Sequence, residues 1–171
     1  MSDAASSSTP DSDAWARQVE DQVLTLALPH VAQMGWSALL VARAGAEAGL
    51  SKGEIELLFP NGAADLAALL GRRHDRETLE TLSQTDPASL KIRERIRLAV
   101  ETRLDAAAQD EAVARRWSGF LALPQNLALA SRLLWDSADQ LWRWAGDTAT
   151  DENHYSKRAI LSGILSAALA I

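Results

Sequence analysis

Three histidines, His30, His74 and His154, are the first residues to weigh as metal ligands or acid–base groups, and their spacing serves neither role. They are scattered along the chain with no E-x-x-H or H-x-x-x-H pair. His74 and Asp75 are sequence neighbours, so they do not face each other on a helix. A di-iron centre in a helical bundle needs Glu and E-x-x-H units repeated on facing helices, and the chain has none. A P-loop is also missing. With no cysteine, a disulfide framework and a zinc knuckle are excluded. We therefore expect no catalytic residue, no metal ligand and no cofactor.

What the chain does concentrate is large apolar side chains. Of six tryptophans, four lie with Phe120 in one stretch: Trp117, Trp135, Trp142 and Trp144. Core packing accounts for any one of them. Trp142 and Trp144 are a harder pair, because two helical positions differ by about 200° around the axis. One of the two is expected to face outward. Large apolar side chains with few polar groups are also what a pocket for a lipid tail needs, since such a tail has almost nothing to hydrogen-bond.

The elements that must position these residues all read as helix. Alanine and leucine dominate, and no segment alternates with period two. Residues 1–13 are Ser- and Asp-rich and read as a disordered acidic tail. That tail has no arginine and no hydrophobic run, unlike a transit or secretion signal, and a bacterial cytoplasm is the simplest home. Helices are expected over 15–34 (with a kink or break at Pro29), 38–48, 52–58, 63–84, 88–108, 110–122 and 125–145, and from about 150 onward. Inward stripes are Val19, Val23, Leu26, Ala27, Val31 and Met34 on the first, and Ile92, Ile96, Val100 and Leu104 on the fifth. Ile160, Leu161, Ile164, Leu165, Ala168 and Leu169 form the stripe of the last. Lys91, Arg93, Arg95, Arg97 and Arg103 read as a solvated basic face, with anionic lipid headgroups as the functional alternative. The uncharged run at the C-terminal end, Ala159–Ile171, falls short of the ~18–20 residues that cross a bilayer.

Residues 38–58 form a helix, a turn at Gly49 and a second short helix capped by Ser51. The stretch MGWSALLVARAGAEAGLSKGEIELLFPNGAADL resembles the N-terminal pattern of the TetR family. The likeness lies in the Gly35-Trp36 turn, the run from Ala48 to Gly53, and Phe59 before the next turn. It implies an all-α, TetR-like fold, with a helix-turn-helix unit over 14–62 and a helical bundle over 63–171 for lipid binding and dimerisation. A two-fold homodimer would pair through the C-terminal helices near Ile164 or Leu165.

A second resemblance rests on LWRWAGDTATDENHYSKRAIL, residues 141–161. Thr150, Asp151, Asn153, Tyr155, Ser156, Lys157 and Arg158 match the T-D-x-N-(aromatic)-Y-(T/S)-(K/R)-R pattern of the accessory lipid-binding family of ubiquinone (coenzyme Q) biosynthesis, the ninth Coq family. Glu152 and His154 depart from the aromatics that some members carry there. The resemblance implies a protein that is not an enzyme. Such a protein holds an isoprenoid quinone or a phospholipid and presents it to the di-iron demethoxyubiquinone hydroxylase at the bacterial inner membrane. Candidate lipid contacts are Trp117, Phe120, Leu123, Leu127, Leu134, Trp135, Trp142, Leu161 and Leu165. Candidate partner contacts are Trp144, Asp151, Asn153, His154, Tyr155 and Arg158. The family continues past the point where this chain stops, adding an amphipathic helix that seeks membranes, so a truncated C-terminus is expected.

The runner-up is a ligand-responsive repressor of the TetR type, and charge argues against it. Residues 1–60 carry eight acids (Asp3, Asp11, Asp13, Glu20, Asp21, Glu47, Glu54, Glu56) against Arg17, Arg43 and Lys52. Glu54 and Glu56 lie on the segment that would enter a groove, where phosphates repel carboxylates. No discrete complex is expected in a low-salt gel shift with duplex DNA from the protein's own promoter region. A complex at sub-micromolar protein would restore the repressor reading.

Overall fold

The computed structural model describes residues 9–147 and 152–169. The described residues are helical with no strand, and they divide between Leu69 and Leu70 into two compact units.

The first unit holds α1 (Thr9–Met34), α2 (Ala38–Glu47), α3 (Lys52–Leu58) and the start of α4 (Ala63–Leu82). Helix α1 begins at Thr9, so the end of the segment expected to be a tail is helical, while residues 1–8 lie outside the described residues. It also runs through Pro29 without ending there. Short-range capping sets the boundaries that follow. Ser37 accepts a hydrogen bond from the Leu40 N–H at 3.2 Å. Ser51 and Glu54 form a reciprocal capping box at the start of α3. Helix α1 packs on α2 and α2 on α3. The interior is built from Val23, Leu24, Ala27, Val31, Leu40, Val41 and Ala44, all buried. Gly45 lets α3 approach α2, because a Cβ there would sit 2.5 Å from the Ile55 side chain.

The second unit contains the rest of α4, then α5 (Ile92–Ala108), α6 (Glu111–Leu121), α7 (Leu127–Trp144) and α8 (Glu152–Leu169). Single 3₁₀ turns at Pro87–Ser89 and Pro124–Asn126 precede α5 and α7, so both helices start two to four residues later than their sequence pattern predicts. Asp86 holds the first of these turns by accepting from the Ala88 N–H at 2.9 Å. Helix α8 packs on α7 and α5. The core consists of Leu82, Ala99, Ala138, Leu141, Leu161 and Leu165, with Ile96, Leu98, Val100, Leu134, Trp142 and Trp144 partly buried around it.

Three expected faces differ. On α5 the buried positions are Ala99, Arg103, Ala106 and Ala107, whereas Ile92 is exposed and Ile96, Val100 and Leu104 are half-buried. The pairing of Arg103 with a buried carboxylate sets that inward face. Trp142 and Trp144 are both half-buried against the core, neither being turned wholly outward. Helix α7 has α5, α6 and α8 as neighbours, so two positions far apart around its axis can both be covered. On α8 the buried stripe narrows to Arg158, Leu161 and Leu165, leaving Ile160 and Ile164 at 66% and 49% exposure.

Candidate functional site

An apolar cavity of about 390 Å³ lies within the second unit. Trp117 and Leu121 come to it from α6, Leu127, Ala130, Leu133 and Leu134 from α7, and Leu165 from α8. The α7 positions recur at three and four residues because such positions share a helix face. Trp117 is held in place by His74, whose ring meets the indole edge-on at 5.7 Å between centroids. Ser118, Ser137, Ser166 and Arg103 supply polar atoms along the wall.

Arg103 is a buried cation, not part of a solvated face. Its Nε donates to Asp75 Oδ1 at 2.6 Å, and Ser137 Oγ donates to the same oxygen at 2.6 Å. This cluster ties α4, α5 and α7 together through one carboxylate. Arg95 also leaves the expected solvated run, because its Nη1 donates to the Ala145 carbonyl at the end of α7, at 2.8 Å. Next to that bond, Gly146 takes φ +89° and closes the helix. Lys91, Arg93 and Arg97 remain exposed.

A second buried cation joins α7 to α8. Arg158 is 1% exposed. Its Nε donates to Asp139 Oδ1 at 2.5 Å, and its Nη1 donates to Asp147 Oδ2 at 3.0 Å. Burial works against charge on Arg158, but the hydrogen bonds and charges of Asp139 and Asp147 outweigh it and raise its pKa. Lys157 Nζ reaches the other Asp147 oxygen at 2.7 Å and lies 5.3 Å from the Trp142 ring centre. The Trp142 indole N–H donates to the Lys157 carbonyl at 3.1 Å, which satisfies the polar end of a half-buried ring.

On the outer side of α8, Tyr155 is 64% exposed. Its ring centre lies 6.2 Å from that of Trp135 and 5.2 Å from that of His154. Asn153 is exposed beside it. The Tyr155 group lies about 15 Å along α8 from Leu165 at the cavity, at 1.5 Å per residue.

Of the expected lipid contacts, the structure brings Trp117, Leu127, Leu134 and Leu165 to the cavity. Leu161 is in the core, and Trp142 packs against it. Trp135 stands beside Tyr155. Phe120 is half-buried and Leu123 exposed, and neither borders the cavity. Of the expected partner contacts, Asn153, His154 and Tyr155 fall together, Trp144 packs on the core, and Asp151 lies outside the described residues. Arg158 points inward, so it positions α8 and has no surface to offer a partner. The pairing of Asp75 with Arg103 and Ser137, and of Arg158 with Asp139 and Asp147, carries no signal in the sequence. Their partners lie 11 to 62 residues apart, beyond any helical spacing rule.

The supposed DNA-facing helix offers little to a phosphate. Glu54 is engaged in the capping box, where Ser51 lowers its pKa through hydrogen bonds, and Lys52 lies 3.7 Å from Glu56. Among the described residues no group of three His, Asp or Glu side chains could hold a metal ion, and no helix is long and apolar enough to cross a membrane.

Comparison with known proteins converges on one family. Residues 127–171, which include α7 and α8, match the COQ9 family model. The chain is 31% identical over 153 residues to the mitochondrial ubiquinone biosynthesis protein COQ9 of Rattus norvegicus, covering 86% of this chain and 49% of the relative. The Bos taurus protein of the same name is 31% identical, with 86% and 48% covered, and the Homo sapiens protein 30% identical, with 86% and 48% covered. The chain thus spans about half the length of the curated relatives it matches.

The geometry around Trp117 also predicts a pH response. Burial, then the nearby cations Arg103 and Arg73, push the His74 pKa down from 6.5 to about 3. Between these values the unfolded chain binds a proton that the folded chain refuses. Stability is therefore unaffected by His74 above pH 6.5 and falls toward pH 3, at up to about 1.4 kcal/mol per pH unit. Thermal melts from pH 7 to 4 should show a steeper decline for the parent chain than for His74→Phe. Equal slopes would contradict the assignment.

Proposed function

The chain belongs to the COQ9 family, and on that premise we propose that it is an accessory protein of ubiquinone biosynthesis. In this reading it holds an isoprenoid lipid in the α6–α7–α8 cavity and presents it to the hydroxylase that acts on demethoxyubiquinone. The observation that carries the reading is the cavity itself. About 390 Å³ of space lined by Trp117, Leu121, Leu127, Leu133, Leu134 and Leu165 is a size and chemistry that suit an apolar tail. No catalytic step is required of the chain: its part is to exclude water and deliver the lipid.

Docking falls to the exposed Tyr155 with Trp135, His154 and Asn153. Aromatic side chains that are exposed yet held by neighbours are typical anchors of protein interfaces. A homodimer in this scheme uses Ile160 and Ile164, which face outward, and not Leu165, which the chain buries within itself. Membrane contact would be peripheral.

Recombinant protein, extracted with organic solvent and analysed by mass spectrometry, should yield an isoprenoid quinone or a phospholipid near one molecule per chain. Ala130→Trp, which places an indole in the cavity, should leave the helical circular dichroism unchanged and reduce the lipid at least about tenfold. A clean extract from the parent chain, or equal lipid in both proteins, would sink the proposal.

A further inference from the structure

Among the described residues that line the cavity, Arg103 is the one charged side chain. It is 2% exposed, and its hydrogen-bonding capacity is only partly used. Nε is bound to Asp75 Oδ1 at 2.6 Å, whereas Nη1 is buried with no hydrogen-bond partner. A guanidinium N–H deprived of both water and an acceptor is costly, and native interiors rarely leave one so. Here that donor belongs to a residue bordering an apolar cavity large enough for a ligand.

The local charge limits what the ligand can be. Asp75 already neutralises Arg103, and Ser137 Oγ spends its proton on the same carboxylate oxygen at 2.6 Å. His74, close by, is neutral at physiological pH because burial and the cations Arg103 and Arg73 hold its pKa at about 3. An incoming carboxylate or phosphate would add an uncompensated negative charge to a low-dielectric site beside Asp75. A neutral carbonyl oxygen would accept from Nη1 without that penalty.

We infer that Arg103 is the polar stop of the cavity, and that it receives a neutral acceptor oxygen (a ketone, ester or quinone carbonyl) at one end of an otherwise apolar ligand. Asp75 and Ser137 are positioning residues that hold the guanidinium. This inference rests on the lipid-holding reading and adds to it the chemistry of the ligand's polar end.

Equilibrium dialysis of the delipidated chain against three probes tests it: 2,3-dimethoxy-5-methyl-6-decyl-1,4-benzoquinone, decylbenzene and decanoate. The parent chain should bind the quinone about tenfold or more tightly than decylbenzene, the range expected of a hydrogen bond to a charged donor. Decanoate should bind no more tightly than decylbenzene. Arg103→Met combined with Asp75→Asn removes both charges together, and it should bind the quinone and decylbenzene alike, with decylbenzene affinity unchanged. Arg103→Lys keeps a cation for Asp75 but lacks the second guanidinium nitrogen. It should lose the preference too, and it carries the test if circular dichroism shows the double variant unfolded. Persistence of the quinone preference in a folded variant, or decanoate binding best, would overturn the role of Arg103. Equal binding of quinone and decylbenzene by the parent chain would do the same while leaving the cavity reading intact. Failure of all three probes to bind the parent chain would remove the cavity reading, and this inference with it.

Discussion

A guanidinium withdrawn from water has to be met by carboxylates, and the second unit is organised around two such encounters. Arg158, on the buried stripe of α8, lies between Asp139 of α7 and Asp147 just beyond its end. Arg103, on the buried face of α5, meets Asp75 of α4. Desolvating these ions costs several kcal/mol each before any attraction is counted, so the pairs add less to net stability than their short distances imply. What they impose is registry. Losing one partner would leave a buried charge uncompensated, at a cost of about 3–5 kcal/mol. Only arrangements of α4, α5, α7 and α8 that satisfy both cations are therefore permitted.

The proposed functional surfaces depend on that registry. Helix α8 contributes Leu165 to the cavity from one side and displays Tyr155 to solvent from another. Once Arg158 fixes the rotation of α8 against α7, both placements follow. The same rotation sets the Trp142 N–H against the Lys157 carbonyl and brings Trp135 beside Tyr155. Hydrophobic packing of Leu141, Leu161 and Leu165 supplies most of the favourable free energy. It is less selective about rotation, because neighbouring apolar positions such as Ile160 and Ile164 could be buried equally well by that criterion. The cation removes this degeneracy.

How much of this could be read from sequence depends on the range of the interaction involved. Helix ends are legible where the signal is local: Ser51 caps the helix it precedes, and Gly35 and Gly146 adopt positive φ where helices stop. The all-helical class and the aromatic enrichment of 117–144 were equally open to view. Residue patterns alone could not separate Arg103 and Arg158 from ordinary surface basic residues. A buried arginine looks the same as an exposed one until its carboxylate is known, and Asp75 and Asp139 are 28 and 19 residues away. The inward face of α5 is centred on Ala99 and Arg103 for this reason, while Ile96 and Val100 of the helical stripe pack at its edge and Ile92 is exposed. Trp142 and Trp144 are both partly covered because α7 has three helical neighbours, whereas a helix with one covered side would turn one of them outward.

The claim at the centre of this account is that Arg158 holds α8 in its register on α7. Hydrogen–deuterium exchange measures that directly. Arg158→Met should speed exchange of the α8 backbone amides at least about a hundredfold, the loss expected when a buried pair is broken. Arg97→Met serves as the control, because Arg97 makes an exposed pair with Glu101 whose loss costs little. Protection of α8 that is the same in Arg158→Met as in Arg97→Met would contradict the account.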